Sequence, residues 1–460
     1  MTRVADPLSP ASWPVSLQRA FENLPPVAWT VALSGGLDSV VLLHLAMAWQ
    51  QHRARPHTLR AVHINHGLQS QSNAWASVCQ QICDRLAVPL EIVPVAVEGD
   101  SGKGLEDAAR DARYEAFEQN LRSGEVLLLG HHADDQAETQ LYRMMRGSGL
   151  AGFAAMPESR PLGQAQLYRP LLSQTRQALA ELARESGLFW IEDPSNANDH
   201  YDRNYLRNRV LPILKRRWPD ASERMERNAR HGREAVMLLN ELAAMDAVCT
   251  VEASTGDLLL EPLLQLSEPR QRNIIQWWLR SSGLPPLSEK QLLNALPEFL
   301  AARTDGTAEI SGPGFVIRRY NGRAMVLNQA VLAHRPDSTW WQPPGALSWG
   351  EGQLVAERSE GKGLVPFEPG FTVRSRQGGE HIVLASGQRQ PLKKWLQGRR
   401  IPPWERAALP LIWQADVLVG IGDLWIHPDY RALAGQSGWV IRWHSPPFRA
   451  RATGAARPLR

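Results

Sequence analysis

Cysteine is almost missing from this chain: Cys79, Cys83 and Cys249 are the only three in 460 residues. So few thiols exclude a disulfide framework and fit a reducing compartment, so a cytoplasmic protein is expected. Cys79 and Cys83 stand four apart on a predicted helix face. With no second pair to complete a metal site, they read as core thiols. Long apolar runs are missing too. None reaches the roughly 18 residues a membrane helix needs, so no membrane partner is expected. Met1 to Gln18 carries Pro7, Pro10 and Pro14 without an apolar core, so no secretory signal is visible. Acidic residues are absent locally. None occurs between Arg203 and Arg217, a stretch holding Arg207, Arg209, Lys215 and Arg216, and none follows Ser445. With a net charge of +4, this distribution biases the chain toward a polyanionic partner.

What is present describes a multidomain globular chain, with 43% hydrophobic and 21% charged residues. From Trp29 to Leu129, short apolar runs alternate with helical stretches. Strands are predicted at 28–33, 58–64, 90–95 and 126–130, and helices at 72–86, 105–121 and 134–146. This alternation predicts an α/β domain with a parallel sheet covered on both faces, whose ligands bind at the carboxyl ends of the strands. The polar clusters fall at those ends: Ser34 to Ser39, His63 to Gly67, and His131 to Asp135. A Gly- and Pro-containing loop is predicted from Gly147 to Pro170, then helices at 175–186 and 204–217. A mainly helical portion follows a long charged helix over 223–246, with a hairpin signal at Tyr320-Asn321-Gly322. Pro343-Pro344-Gly345 marks a boundary, after which short strands and turns surround a helix near 390–397. The domains are accordingly set at 1–218 (catalytic), 219–340 (linker helix and mainly helical middle) and 345–445 (a small α+β domain). Residues 446–460 read as a disordered basic tail.

The stretch Val31-Ala-Leu-Ser34-Gly35-Gly36-Leu37-Asp38-Ser39 turns a strand into a helix through two glycines. Paired glycines permit positive φ and close backbone approach, and the new helix directs unpaired N–H groups at the same point. That is a phosphate cradle. It lacks the Gly-Lys-Ser/Thr of Walker A and is not GxGxxG. SGG-x-DS resembles the PP-loop of N-type ATP pyrophosphatases, which grip the pyrophosphate of ATP and transfer AMP. The resemblance implies that Ser34, Gly35, Gly36, Leu37, Asp38 and Ser39 bind ATP.

Farther along, Asp135, Glu138 and Thr139 share a helix face at i, i+3, i+4. Acids near a helix N-terminus are favourable through capping and dipole alone, yet these point toward the expected nucleotide crevice. There they suit Mg²⁺ or the ammonium of an amine substrate. Glu106, Arg110, Arg113 and Tyr114 lie on the helix after a Gly-Asp-Ser-Gly-Lys-Gly loop, where Glu106 and Arg110 also read as a surface pair.

A longer series of motifs resembles the tRNA(Ile)-lysidine synthetase family. It includes Glu106-x-x-Ala-Arg110-x-x-Arg113-Tyr114, Gly130-His-His-x-x-Asp135-Gln-Ala-Glu138-Thr139, Arg146-Gly-Ser-Gly-Leu-x-Gly152 and Arg169-Pro-Leu-Leu172. It continues through Trp190-Ile-Glu-Asp-Pro-Ser-Asn196, Arg203-Asn204-x-x-Arg207, Arg374-x-x-x-Gly378-Gly-Glu380, Leu392-Lys393-Lys394-Trp395 and Ile401-Pro-Pro-Trp404-x-Arg406. The resemblance implies ATP-dependent ligation of free L-lysine to C2 of the first-anticodon cytidine of an isoleucine tRNA, through an adenylated cytidine. It assigns catalytic roles to Asp38, Arg113, His131, Asp135 and Glu138, with Asp38 the candidate Mg²⁺ ligand. Asp135 and Glu138 would take the lysine ammonium, and His131 and Arg113 the adenylate or the lysine carboxylate. Arg203, Arg207, Lys393, Lys394 and Arg406 are candidate tRNA or phosphate contacts. The oligomeric state stays open, a homodimer included.

Other PP-loop enzymes are weaker matches. A tRNA thiolase needs reactive cysteines, commonly CxxC, and Cys79-x-x-x-Cys83 has the wrong spacing. An amide ligase related to GMP or NAD synthetases is disfavoured by the 240-odd residues after the catalytic domain, whose content is basic and not glutaminase-like.

Overall fold

Alternate residues of the strand Val126–Leu128 explain the layering of the first half of the chain. Val126 and Leu128 join one apolar cluster with Trp29, Val31 and Leu43. Leu127 and the following Leu129 join another with Val62, Phe117 and Leu167. Side chains alternate faces along a strand, so a strand apolar at every position must be covered on both sides. In the computed structural model the cover is helical. The structure describes residues 6–53, 57–65, 72–95, 105–192, 199–200, 202–302, 308–334 and 336–450.

The strands of this sheet are β1 (Trp29–Ala32), β2 (Leu59–Asn65), β3 (Leu90–Pro94), β4 (Val126–Leu128), β5 (Ser159–Leu162) and β6 (Ala165–Tyr168). The helices are α1 (Val15–Glu22), α2 (Leu37–His52), α3 (Ser72–Leu86), α4 (Leu105–Asn120), α5 (Ala133–Met145), α6 (Gly149–Phe153), α7 (Arg176–Glu185), α8 (Asp202–Tyr205), α9 (Leu211–Arg217) and α10 (Ala221–Thr250). Strand order is β3-β2-β1-β4-β6-β5. Val31 pairs in parallel with Ala61 of β2 and Leu128 of β4, and Leu127 with Leu167 of β6. After β1 the chain fills one side of the sheet and then crosses to β4 on the other. The carboxyl ends of β1 and β4 therefore flank the switch point where open α/β sheets bind ligands.

The expected loop from Gly147 to Pro170 needs correction. It contains α6 and the hairpin β5–β6, and β6 extends the parallel sheet beside β4. Strands this short, with Pro161 within β5, carry no periodic signal. A proline is tolerated because β5 is an edge strand.

The chain divides into two compact units, Met1–Leu238 and Leu239–Arg460, with the division inside α10. The second unit begins with an antiparallel sheet in the order β7-β10-β9-β8: β7 (Leu258–Leu259), β8 (Glu309–Gly312), β9 (Phe315–Tyr320) and β10 (Arg323–Asn328). Phe315 and Ile317 pack there with Ile274, Trp278 and Leu279 of the helix Glu268–Ser281. Asn321-Gly322 makes the β9–β10 turn with φ of 50° and 74°, as its dipeptide signal requires. Beyond it, a five-stranded and a three-stranded sheet are accompanied by the helices Leu392–Gly398 and Pro403–Ala408.

The disordered tail expected from residue 446 is also corrected in its first part. Phe448 is buried with Leu327, Val331 and Trp404. Asn328 donates its N–H to the Phe448 carbonyl at 2.8 Å, and Ala450 donates to Val326 at 3.1 Å. Arg449 pairs with Asp257, whose side chain is 1% exposed. Basic composition reads as solvated chain, whereas one aromatic and one buried acid tie these residues down. Residues 451–460 lie outside the described residues. Among the described residues no helix is long and apolar enough to cross a membrane.

Candidate active site

The loop between β1 and α2 is held open by its own serines. Ser39 Oγ accepts from the Ser34 N–H at 3.1 Å and donates to the Gly36 carbonyl at 3.0 Å, while Ser34 Oγ accepts from Gly36 N–H at 3.3 Å. Gly36 is the N-cap of α2 and no side chain caps the helix, so its first-turn N–H groups face outward as an anion seat. Gly35 has φ of +83°, and a Cβ there would lie 2.9 Å from Ile191 Cδ1 and 3.1 Å from Cys79 Sγ. Ile191, in the segment after α7, donates its N–H to the Gly35 carbonyl at 2.8 Å. The loop is thus backed by a second stretch of main chain. Cys79 and Cys83 are fully buried, and burial pushes both thiols up to about 12, so they are packing groups. His63 is also buried, its Nδ1 2.8 Å from the Leu33 carbonyl. His66 and Gly67, which end that predicted cluster, lie outside the described residues.

Opposite this loop, β4 delivers His131 and His132 to the N-terminus of α5. A Cβ on Gly130 would lie 3.0 Å from the Asp38 backbone, so the end of β4 and the first turn of α2 approach closely where glycine adds no side chain. His132 is the N-cap of α5. Its N–H donates to Asp135 Oδ2 at 3.0 Å, and its ring Nδ1 lies 3.4 Å from Asp135 N. Nε2 stands 3.4 Å from Asp135 Oδ2 and 3.6 Å from Asp38 Oδ1. Burial opposes a charge on this ring, but Asp135, Asp38 and Asp134 outweigh it and raise His132 to about 9. A doubly protonated ring gives up Nδ1 as an acceptor. The contact it forfeits is the long 3.4 Å one, whereas the carboxylates gain.

His131 has the opposite character. Burial lowers it to about 3; Asp135 opposes this, and the charges of Arg169, Arg113 and Arg110 reinforce it. The neutral ring accepts at Nδ1 from Arg169 Nε, 3.2 Å away. Two adjacent histidines therefore carry different charges because one faces carboxylates and the other guanidinium groups.

One turn into α5, Asp135 and Glu138 share a cation. Arg207 Nε contacts Glu138 Oε1 at 2.6 Å, and Nη2 contacts Glu138 Oε2 at 2.8 Å and Asp135 Oδ1 at 3.0 Å. Arg207 sits on a π-helical turn, Leu206–Val210, between α8 and α9. Burial and then the Asp135 charge push Glu138 up to about 6, against the hydrogen bond from Arg207. A cavity of about 370 Å³ opens beside the pair, reached by Leu37, Glu138, Trp190, Arg207 and Lys215. Asp134 points away from the pair. It accepts from Arg176 N–H at 2.8 Å and Ser222 Oγ at 2.9 Å, and pairs with Lys215.

Asp38 Oδ1 is buried and, apart from His132 Nε2 at 3.6 Å, has no hydrogen-bond partner among the described residues. An oxygen left this way in a crevice suits a hard cation. No three His, Cys, Asp or Glu side chains among the described residues form a metal cage, so such an ion would complete its shell with phosphate and water oxygens.

The fold therefore gathers Ser34–Ser39, His131, Asp135, Glu138 and Arg207. Arg113 is exposed on α4, close enough for its charge to act on His131. Arg203 lies over the Tyr142 ring at 5.9 Å. Lys393 and Lys394 are exposed in the second unit. Arg406 departs from its expected place on a nucleic-acid surface. It is 9% exposed, donating from Nε to the Ile401 carbonyl at 2.5 Å and lying 3.4 Å from the Tyr320 hydroxyl, so its charge braces the fold. The Glu106 side chain lies outside the described residues. Sequence reasoning gave no role to His132 or Arg169, and read Lys215 only as part of a basic stretch suited to a polyanion, whereas it pairs with Asp134. His is not a preferred N-cap, and only the His-His pair three residues before an acid hinted at it.

The chain is similar to known proteins along most of its length. The PP-loop domain model matches residues 12–214, the TilS substrate binding domain 258–325 and the TilS substrate C-terminal domain 371–443. A tRNA(Ile)-lysidine synthase of Coxiella burnetii is 39% identical over 427 residues, covering 90% of this chain and 93% of that protein. Proteins of the same name from Alkalilimnicola ehrlichii and Pseudomonas putida are each 41% identical, covering 94% and 86% of this chain and 98% and 92% of theirs.

Proposed function

Since this chain belongs to the tRNA(Ile)-lysidine synthase family, we propose the reaction and the role each side chain takes in it. The protein is an ATP-using ligase that forms a carbon–nitrogen bond. It joins lysine to C2 of the wobble cytidine of isoleucine tRNA with anticodon CAU, so that the tRNA reads AUA, and releases AMP and pyrophosphate. The observation that carries this reading is the switch-point crevice. An uncapped helix N-terminus forms one wall and a cation-holding carboxylate pair the other, with His132 between Asp38 and Asp135.

The chemistry follows from what each wall holds. A ring carbonyl oxygen leaves poorly and AMP leaves well, so adenylation comes first. Negative charge growing on the pyrophosphate is met by the backbone N–H groups of Gly35 and of Leu37–Ser39 and by the nearby arginines. Asp38 would hold Mg²⁺, which supplies Lewis-acid stabilisation of the phosphates. Neutral His131 can donate from Nε2 without adding a second cation. Arg207 Nη2 already makes the contacts that an ammonium between Asp135 and Glu138 would make. Only a free amine attacks carbon, so the ammonium must lose a proton, and Glu138, raised to about 6, is matched to accept it near neutral pH. Arg203 would meet RNA phosphate, as would Lys393 and Lys394 on the second unit.

The test mixes the protein with ATP, labelled lysine and isoleucine tRNA transcripts. Lysine incorporation that requires a cytidine at the first anticodon position is expected, with one AMP formed per lysine. Incorporation into a transcript carrying another base there, or AMP formation without RNA, would overturn the reading.

A further inference from the structure

Six arginines gather on the flank of the crevice that begins at His131. Arg110 and Arg160 lie over the Tyr114 ring at 5.2 and 4.6 Å. Arg169 joins the same tyrosine and touches His131. Arg146 and Arg203 lie over the Tyr142 ring at 5.0 and 5.9 Å, with Arg146 Nη1 2.7 Å from its hydroxyl. Arg143 links the two groups, since its own charge is disfavoured first by burial and then by both Arg203 and Arg110. These residues come from α4, α5, α8, β5 and the turn after β6, so the convergence is made by the fold and not by one basic helix face.

Among the described residues no ion pair joins any of the six to Asp or Glu. Like charges held together without counter-charge cost stability, and a fold tolerates them where a ligand supplies the anion. Arg169 is 4% exposed and spends Nε on His131 and Nη1 on the Pro157 carbonyl at 2.8 Å, and Arg143 Nη1 donates to the Ala155 carbonyl at 2.6 Å, so these two anchor the group. Each of the other four guanidinium groups has five donors in a fixed fork, and the contacts above use few of them. The group flanks α5 from Arg169 beside His131 to Arg146 at its C-cap, and a helix of that length spans about 20 Å, longer than one triphosphate. The triphosphate also has its own seat at Ser34–Ser39. Tyrosine rings interleaved with guanidinium groups match a strand that offers both phosphates and bases.

We propose that this arginine band binds the phosphodiester backbone of the RNA strand flanking the target nucleotide, holding it in register while the base enters the crevice. The inference rests on the RNA-modifying reading above. It places RNA-positioning residues within the catalytic unit itself, separate from the lysines of the second unit.

The test uses the full chain and a synthetic anticodon stem-loop of isoleucine tRNA, with ATP binding measured in parallel without RNA. Arg146→Gln combined with Arg160→Gln removes one charge from each tyrosine group. The expected result is about tenfold weaker hairpin binding and a salt dependence shallower by about 1.4 in log–log slope, two contacts at roughly 0.7 each. ATP affinity is expected to stay unchanged, and the Arg→Lys pair to restore the slope. Unchanged hairpin affinity and slope, with the parent protein binding normally, would overturn the proposal and leave the RNA reading intact. A loss of ATP affinity would also overturn it by assigning the band to the nucleotide. Failure of the parent to bind the hairpin would remove the RNA reading and the proposal together. Thermal unfolding is followed throughout; if the double variant does not fold, Arg146→Gln alone, at an exposed residue, carries the test with half the slope change.

Discussion

Glu138 shows how a single residue acquires its chemistry from its surroundings. A solvent-exposed glutamate would be ionised and weakly basic at neutral pH. Burial beside Asp135 raises this one to about 6, so it is ionised above that pH and neutral below it. The single-turnover rate of lysine transfer, measured on RNA adenylated beforehand, should therefore fall about tenfold per unit as pH drops below 6. Glu138→Gln should slow the transfer about 100-fold or more and remove that acid limb. A persistent limb in the variant would assign the titration to another group. His131 and His132 make the same point in opposite directions, since neighbouring positions end neutral and charged according to what faces them.

At the scale of an element, α5 organises the site through its N-terminus. His132 and Asp135 cap it, Glu138 follows one turn later, and Asp134 anchors its reverse side to Arg176, Lys215 and Ser222. Asp134 is 6% exposed. Burial opposes its charge, and the Arg176 N–H and Lys215 together hold its carboxyl below the usual range. The stabilisation from this group is thus present above the ordinary carboxylate pKa and lost as pH falls through the lowered one. Lys215→Met should cost about 1–3 kcal/mol in denaturant unfolding at neutral pH, with the deficit shrinking in acid. A pH-independent loss would mean that the lysine stem, and not its charge, is what matters. The helix was legible in the sequence because Asp135, Glu138 and Thr139 repeat at helical spacing. Its anchor was not, because Asp134 and Lys215 are 81 positions apart and only packing joins them.

For the whole molecule, the second unit is fastened by residues that composition alone reads as a tail. Asp257 is 1% exposed and is met there by Arg449, with Nη2 and Oδ2 3.0 Å apart. Arg449→Met should lower the stability of the second unit by about 2–4 kcal/mol, read as an earlier unfolding step in calorimetry, while ATP binding by the first unit is unaffected. Coincident loss of both would show that the units do not melt separately. The strand–loop–helix unit at residues 29–52, the β–α alternation after it and the Asn321-Gly322 hairpin all followed from the sequence, since each depends on local periodicity and on backbone conformations few residues adopt. The motif residues of the first half, read as a nucleotide site, come together at the ends of β1 and β4. What only the tertiary structure decided were the pairings between distant residues. Arg207 occupies the Asp135–Glu138 pair, Arg406 is spent inside the fold, the hairpin β5–β6 joins the sheet, and six arginines from separate elements share one flank. Local sequence fixes backbone preference over a few residues, but the charge state and availability of a side chain depend on burial and on partners the chain brings back from far away.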